Sequence, residues 1–171
     1  IGKIAAPIAL ALFVPQINLI TNSIFLGHHS EQSLAVAAIT GVYYLIFAGI
    51  GFGLNNGLQA LISRRAGENR PEEIGKIFTQ GVFIGMSIAA VGILVTKLIT
   101  PFILNPFLSH QQANQSINFL RIRILGLPFL YVYQLRNALL VGINQSKYLI
   151  AGTLAETVAN IFFDYSLIFG K

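Results

Sequence analysis

The chain has 171 residues, 54% of them hydrophobic and only 10% charged, with a formal net charge of +5 and no cysteine. Soluble domains carry roughly 25% charged residues, so a mean hydropathy of +0.70 assigns this chain to a membrane. Lack of cysteine excludes disulfides, thiol catalysis and thiolate metal sites. The cations gather at segment ends and connectors, not in a basic stripe with interleaved aromatics, which argues against a nucleic-acid partner.

A spanning helix needs about 20 largely apolar residues, and five segments reach that length. The first covers about residues 4–26 and carries Pro7 and Pro15. The second covers about 34–62, and the third about 77–100, stopping at Pro101. The fourth covers about 119–143 with Pro128 inside it, and the fifth covers about 148–169. The connectors are too short for a soluble domain, so the expected fold is an all-α, polytopic membrane helix bundle. The polar connector holding His28 and His29 offers no ligand-spaced partner, and no metal site is expected. A chain that opens on Ile1 is expected to lack its true start, and its first apolar run has no cleavage motif of a signal peptide. In the connector after the second segment, Asn69, Arg70, Pro71 and Glu72 resemble a helix start, with a capping residue, an early proline and an acid in the first turn.

Orientation follows the Lys/Arg bias. With the N-terminus in the cytoplasm, Lys3, Arg64, Arg65, Arg70, Lys76 and Lys147 fall inside, against Lys97, Arg121, Arg123 and Lys171 outside. A cytoplasmic N-terminus and a multi-pass place in the plasma (inner) membrane are therefore expected.

Small residues at i, i+4 spacing let helix backbones approach closely in lipid. Gly49, Gly53 and Gly57 form such a ridge on the second segment, and Gly81, Gly85 and Ala89 form one on the third. Prolines in the first and fourth segments remove backbone donors and allow bends, either static or moving.

The polar residues at membrane depth are the functional candidates. Glu156, Asn160 and Asp164 recur at i, i+4 steps in the fifth segment, drifting about 80° around the helix and climbing about 12 Å. Charge at this depth faces a bundle interior or a wet cavity. Counted from the inner ends, Asn22 lies about 27 Å up the first segment and Asp164 about 24 Å up the fifth, depths at which both can face one cavity. A carboxylate with amide oxygens beside it can hold a proton or a hard monovalent cation. Gln134, Arg136 and Asn137 lie towards the inner end of the fourth segment. Arg136 is expected to thread its guanidinium to the cytoplasmic headgroups, with pairing to Glu156 as the alternative. Asn55, Asn56 and Gln59 are expected to bond neighbouring helices. Tyr131 joins Gln134 and Asn137 as a candidate for lining a substrate cavity, with packing as the plainer role for the tyrosine. No phosphate-binding loop, Ser/His/Asp set or metal-spaced cluster is present, and no enzymatic activity or cofactor is expected.

Five stretches, in order, resemble one family: AAPIAL, TNSIFLGHHSEQSLAVAAI, RRAGENRPEEIGKIFTQG, LRNALLVGINQSKYLI and NIFFDYSLIFG. Their order and spacing are similar to the N-terminal half of multidrug and toxic compound extrusion (MATE) transporters, across nearly the whole chain. The resemblance implies two six-helix lobes around a central cavity, of which residues 1–171 would supply five helices of the first, with the second lobe missing. It implies that Pro7 corresponds to the first-helix bend proline, with Pro15 a second candidate hinge, and that Asn160 and Asp164 correspond to a cation-linked pair. The family's first-helix acid aligns with Asn22, where an amide replaces the carboxylate. The function so implied is H⁺- or Na⁺-coupled antiport that exports small organic, often cationic, compounds, with the lipid bilayer and the missing C-terminal lobe as partners. A lipid-linked saccharide flippase of the same superfamily and a non-transporting membrane scaffold are the alternatives.

Overall fold

The computed structural model describes residues 20, 21, 23–25, 27 and 30–169. Among these, the helices in order are α1 (Glu31–Gly67), α2 (Pro71–Leu104), α3 (His110–Arg123), α4 (Leu127–Gly142) and α5 (Lys147–Phe169), with a 3-10 turn at Ile124–Gly126. Residues 20, 21, 23–25 and 27 are also helical. Three stretches are long and apolar enough to cross a membrane: α1 with 37 residues, α2 with 34, and α3 continued through α4 with 33. They contain the second and third expected segments and overrun them at both ends, and they take in the fourth up to Gly142 and overrun it at its start, because helix geometry continues into the polar ends. α5 matches the fifth expected segment to within a residue. The first expected segment, with Pro7 and Pro15, lies almost wholly outside the described residues.

Local chemistry sets the helix ends. The Ser30 hydroxyl accepts the Ser33 amide at 3.0 Å, capping α1 at its first turn. Asn69 closes the other end in the left-handed region, at φ 57°, a conformation Asn tolerates better than most residues. The Arg70 amide then reaches back to the Arg65 carbonyl at 3.1 Å. Asn69 thus terminates α1 and does not cap α2; Arg70 precedes α2, and Pro71 opens it. The turn carries a surface ion network in which Arg65 bridges Glu68 and Glu73. Hydrogen bonds from Arg65 and then Arg64 hold the Glu68 carboxyl below its ordinary range. α2 does not stop at Pro101 but runs through it to Leu104. Proline removes one intrahelical donor, yet the Asn105 amide still bonds the Pro101 carbonyl at 3.2 Å, and the chain keeps turning. In the fourth segment the bend near Pro128 takes the form of the 3-10 turn immediately before α4.

Val36–Ile143 form one compact unit, and the segments flanking it form a second. Within the first unit α1 and α4 run parallel, and α2 runs antiparallel to both. Three apolar clusters succeed one another along its length. Leu104, Ile117 and Leu120 lie at one end. Phe47, Ala89, Ile124, Leu127 and Tyr131 form the middle, and Leu58, Ile62, Leu135 and Ala138 the other end. Large apolar side chains also cover the outside, with Phe83, Phe102 and Phe129 each at least 75% exposed. Buried hydroxyls with exposed phenylalanines suit a lipid solvent.

The helices meet through glycine. A Cβ on Gly81 would stand 2.8 Å from Leu58, one on Gly92 would stand 2.8 Å from Leu127, and one on Gly142 would stand 2.6 Å from Ile62. The small-residue face of α2 is the expected one, with Gly81, Gly85 and Ala89 all buried. On α1 the face differs. Gly49, Gly53 and Gly57 have nothing within 4 Å, and it is Gly51 that receives Tyr131, so closely that a Cβ there would stand 2.6 Å from the tyrosine Cε1. Gly51 lies with Phe47, Leu58 and Ile62 on the packed stripe, about 160° from Gly49 and Gly53.

The two faces predict opposite outcomes. Gly51→Ala should cost about 1–3 kcal/mol by overpacking. Gly53→Ala should be neutral or gain up to about 1 kcal/mol through helix propensity. Thermal unfolding of the purified protein measures both.

Candidate functional site

Two groups of polar side chains occupy separate units. The first lies on α5. Thr153 and Thr157 are buried, and each donates its hydroxyl to the carbonyl four residues back, at 2.8 and 2.9 Å. Such bonding hides a hydroxyl inside a helix without disturbing its ladder. Continuing up the same stripe at steps of three and four come Asn160 and Asp164, both half-buried and both engaged with neighbouring groups. Glu156 lies about 80° from Asp164 around the helix and is exposed. The stripe foreseen in the sequence therefore divides: the amide and the aspartate share the shielded face, and the glutamate stands off it. Thr153 and Thr157 complete that face and escaped the sequence reading, although their i, i+4 spacing to each other was visible.

At the upper end of the stripe, Tyr165 meets Phe25 edge to face, with ring centroids 6.5 Å apart. This contact brings the end of the first segment alongside α5 one residue beyond Asp164. Asn22, Pro7 and Pro15 lie outside the described residues.

The second group lies between α1 and α4. Tyr131 is fully buried, and its hydroxyl donates to the Phe47 carbonyl at 2.9 Å. It fastens α4 to α1 and leaves no surface for a substrate. Gln134 donates weakly to the Ala48 carbonyl at 3.4 Å, with its Oε1 against Gly51. That oxygen, Asn137 Oδ1 and Asn55 Oδ1 are buried and have no hydrogen-bond partner. Asn55 was expected to bond a neighbouring helix, and its oxygen does not. Amide oxygens and nitrogens interchange by a flip, so these groups present polar edges of either sign. Arg123, in the same span, sits 4.9 Å over the Tyr44 ring and 3.5 Å from the Thr40 hydroxyl. Arg136 sits 5.3 Å over Tyr133. Among the described residues, no three His, Cys, Asp or Glu side chains cluster as metal ligands.

A family model described as MatE matches residues 7–166. The chain belongs to the MatE family. Among curated relatives, the probable multidrug resistance protein NorM of Halalkalibacterium halodurans is 25% identical, aligned over 99% of this chain and 38% of its own length. The protein of the same description from Geobacillus kaustophilus is 26% identical over 84% of this chain and 32% of its own. The chain thus spans less than two-fifths of the length of these MatE relatives. Among solved structures, a MOP superfamily transporter from Pyrococcus furiosus, described by the reverse polarity of its binding pocket, superposes with TM-score 0.90 at 14% identity. It covers 98% of this chain and 37% of that one. A MATE in complex with MaL6 gives TM-score 0.90 at 15% identity, covering 98% and 38%. At such identities the likeness is one of fold, an all-α membrane bundle of the MATE type.

Removing one hydroxyl tests the fastening role of Tyr131. Tyr131→Phe keeps the ring in its glycine socket and takes away the second hydrogen bond of the Phe47 carbonyl, so unfolding should become about 1 kcal/mol easier. Denaturation of the purified variant beside wild type reads the difference.

Proposed function

We propose that this chain is the N-terminal lobe of a cation-coupled antiporter that exports small organic, often cationic, molecules across the plasma membrane, with its N-terminus in the cytoplasm. A second lobe of the same polypeptide would complete the cavity. The observation that carries this reading is the shielded stripe of α5, where Asp164 and Asn160 lie next to the ring contact joining Tyr165 to Phe25. Support also comes from the curated relatives, which are named as multidrug resistance proteins.

Asp164 with Asn160 takes H⁺ or Na⁺ from the outside. Asn22 cannot titrate, so the change in charge falls on Asp164 alone, while the Asn22 oxygen remains available as a ligand. Glu156 stands off that face of α5, and the proposed mechanism does not draw on it. Cation binding alters the bend of the first segment around Pro7, with Pro15 as a second flexible point, and this narrows the cavity and expels the cargo. A flippase for lipid-linked saccharides is the second reading, and the orphaned guanidinium edge of Arg136 is the observation that favours it.

The test uses the full-length protein in proteoliposomes with an imposed H⁺ or Na⁺ gradient and a fluorescent organic cation as cargo. Asp164→Asn should reduce gradient-driven flux to the level of empty vesicles, and Glu156→Gln should leave it near wild type. Normal coupled export by Asp164→Asn refutes the mechanism, and absence of flux in the wild type would leave a scaffold.

A further inference from the structure

Arg136 presents a problem that the coupling site does not solve. Its Nε and Nη2 atoms are shut off from solvent and have no hydrogen-bond partner. A guanidinium is always charged, and a charge left unpaired away from water is strongly destabilising. The Tyr133 ring covers one face of the group, and its Nε/Nη2 edge is left without an acceptor.

Three kinds of partner are available to such a group. Headgroups at the near interface are ruled out by direction. Arg136 lies six residues, or about 9 Å, from the Gly142 end of α4, and threading to that interface needs a side chain running towards Gly142. Helical side chains lean the other way, towards the N-terminus. Here the guanidinium carbon stands over the ring of Tyr133, three residues back into the span. The headgroup reading drawn from sequence is therefore replaced by an inward-turned arginine. A carboxylate of the chain is the second kind. The ion pairs among the described residues all lie around the turn that joins the end of α1 to the start of α2 and involve Arg64, Arg65 and Arg70; none includes Arg136. Both arginines lie over aromatic rings, and Arg123 has in addition the Thr40 hydroxyl as an acceptor.

The third kind is a ligand, and the two orphaned atoms specify its chemistry. Nε–H and Nη2–H lie on one edge of the guanidinium and point the same way, forming the two-pronged donor that matches paired oxygens of a carboxylate or phosphate. We propose that the Nε/Nη2 edge of Arg136 is an oxyanion-binding site, which receives a carboxylate or phosphate group. Resting on the transport reading, this makes the cargo a molecule that carries such a group beside its cationic centre. The same edge also fits the phosphate of an anionic lipid, so the two sources are separated by experiment.

The full-length protein is placed in nanodiscs of phosphatidylcholine, with or without phosphatidylglycerol, and its thermal unfolding is followed during titration with sodium benzoate or inorganic phosphate, using sodium chloride as the ionic control. A soluble source is supported if benzoate or phosphate stabilises the wild type beyond chloride in neutral discs. A lipid source is supported if stabilisation follows the phosphatidylglycerol content and benzoate adds nothing. In either case Arg136→Lys, which keeps the charge and loses the fork, should bind about tenfold to a hundredfold more weakly, and Arg136→Met should not respond. No oxyanion or lipid effect on the wild type overturns the proposal, as does an undiminished response in Arg136→Met. Should the variants fail to fold, the wild-type titration against chloride still decides. Asp164→Asn should retain the oxyanion response while losing coupled flux, so a failure of the coupling mechanism and a failure of this site are told apart.

Discussion

Inside a bilayer no water is available to rescue an unbonded polar group, and each one left bare costs several kcal/mol. Most of this structure is a set of answers to that constraint. Thr40, Thr96, Thr100, Thr153 and Thr157 donate to carbonyls one turn back in their own helices. Tyr43 reaches Thr96 across the α1–α2 contact, and Tyr131 reaches Phe47 across α1–α4. With the polar groups satisfied, association falls to dispersion, which needs short distances. Glycines at 51, 81, 85, 92 and 142 supply these by admitting Tyr131, Leu58, Leu135, Phe47, Leu127 and Ile62 into sockets that a methyl group would fill.

Against this background, the polar groups that do not serve packing stand out. On α5 a carboxylate and an amide lie on a face otherwise made of threonines that satisfy themselves. In the other unit, three amide oxygens, the Ser116 hydroxyl and one guanidinium edge are buried without partners. Unsatisfied buried groups are few in native proteins and need a physical reason. A transporter supplies one, since its interior is built to be completed by cargo and ions.

Much of this was legible in the sequence. Hydropathy located the spans, because an unbroken run of about 20 apolar residues matches the thickness of the hydrocarbon core. The buried glycine face of α2 followed from spacing alone, while on α5 spacing grouped Glu156 with Asn160 and Asp164, and the resemblance alone singled out the pair. Other features depended on tertiary partners that a single helix does not reveal. Gly51 and Gly53 are two residues apart and equally small, and only the position of Tyr131 decides which one packs. Glu156 shares the spacing of Asn160 and Asp164, but the cumulative drift of the helix carries it off the shielded face. Arg136 looked able to thread to the headgroups because its reach was judged by length, while the direction of its side chain, over Tyr133, points into the span. Pro101 looked like a stop, yet a helix in lipid tolerates the loss of one donor and continues.

The proposed coupling turns on whether the Asp164 carboxyl changes state when H⁺ or Na⁺ is supplied. Infrared difference spectroscopy of the full-length protein in lipid reads that carboxyl directly as H⁺ or Na⁺ is added and withdrawn. A carboxyl band that appears and disappears with the cation, and is absent from Asp164→Asn, is the predicted result. A spectrum in which no carboxyl responds to either cation, or in which the response survives in Asp164→Asn, contradicts it.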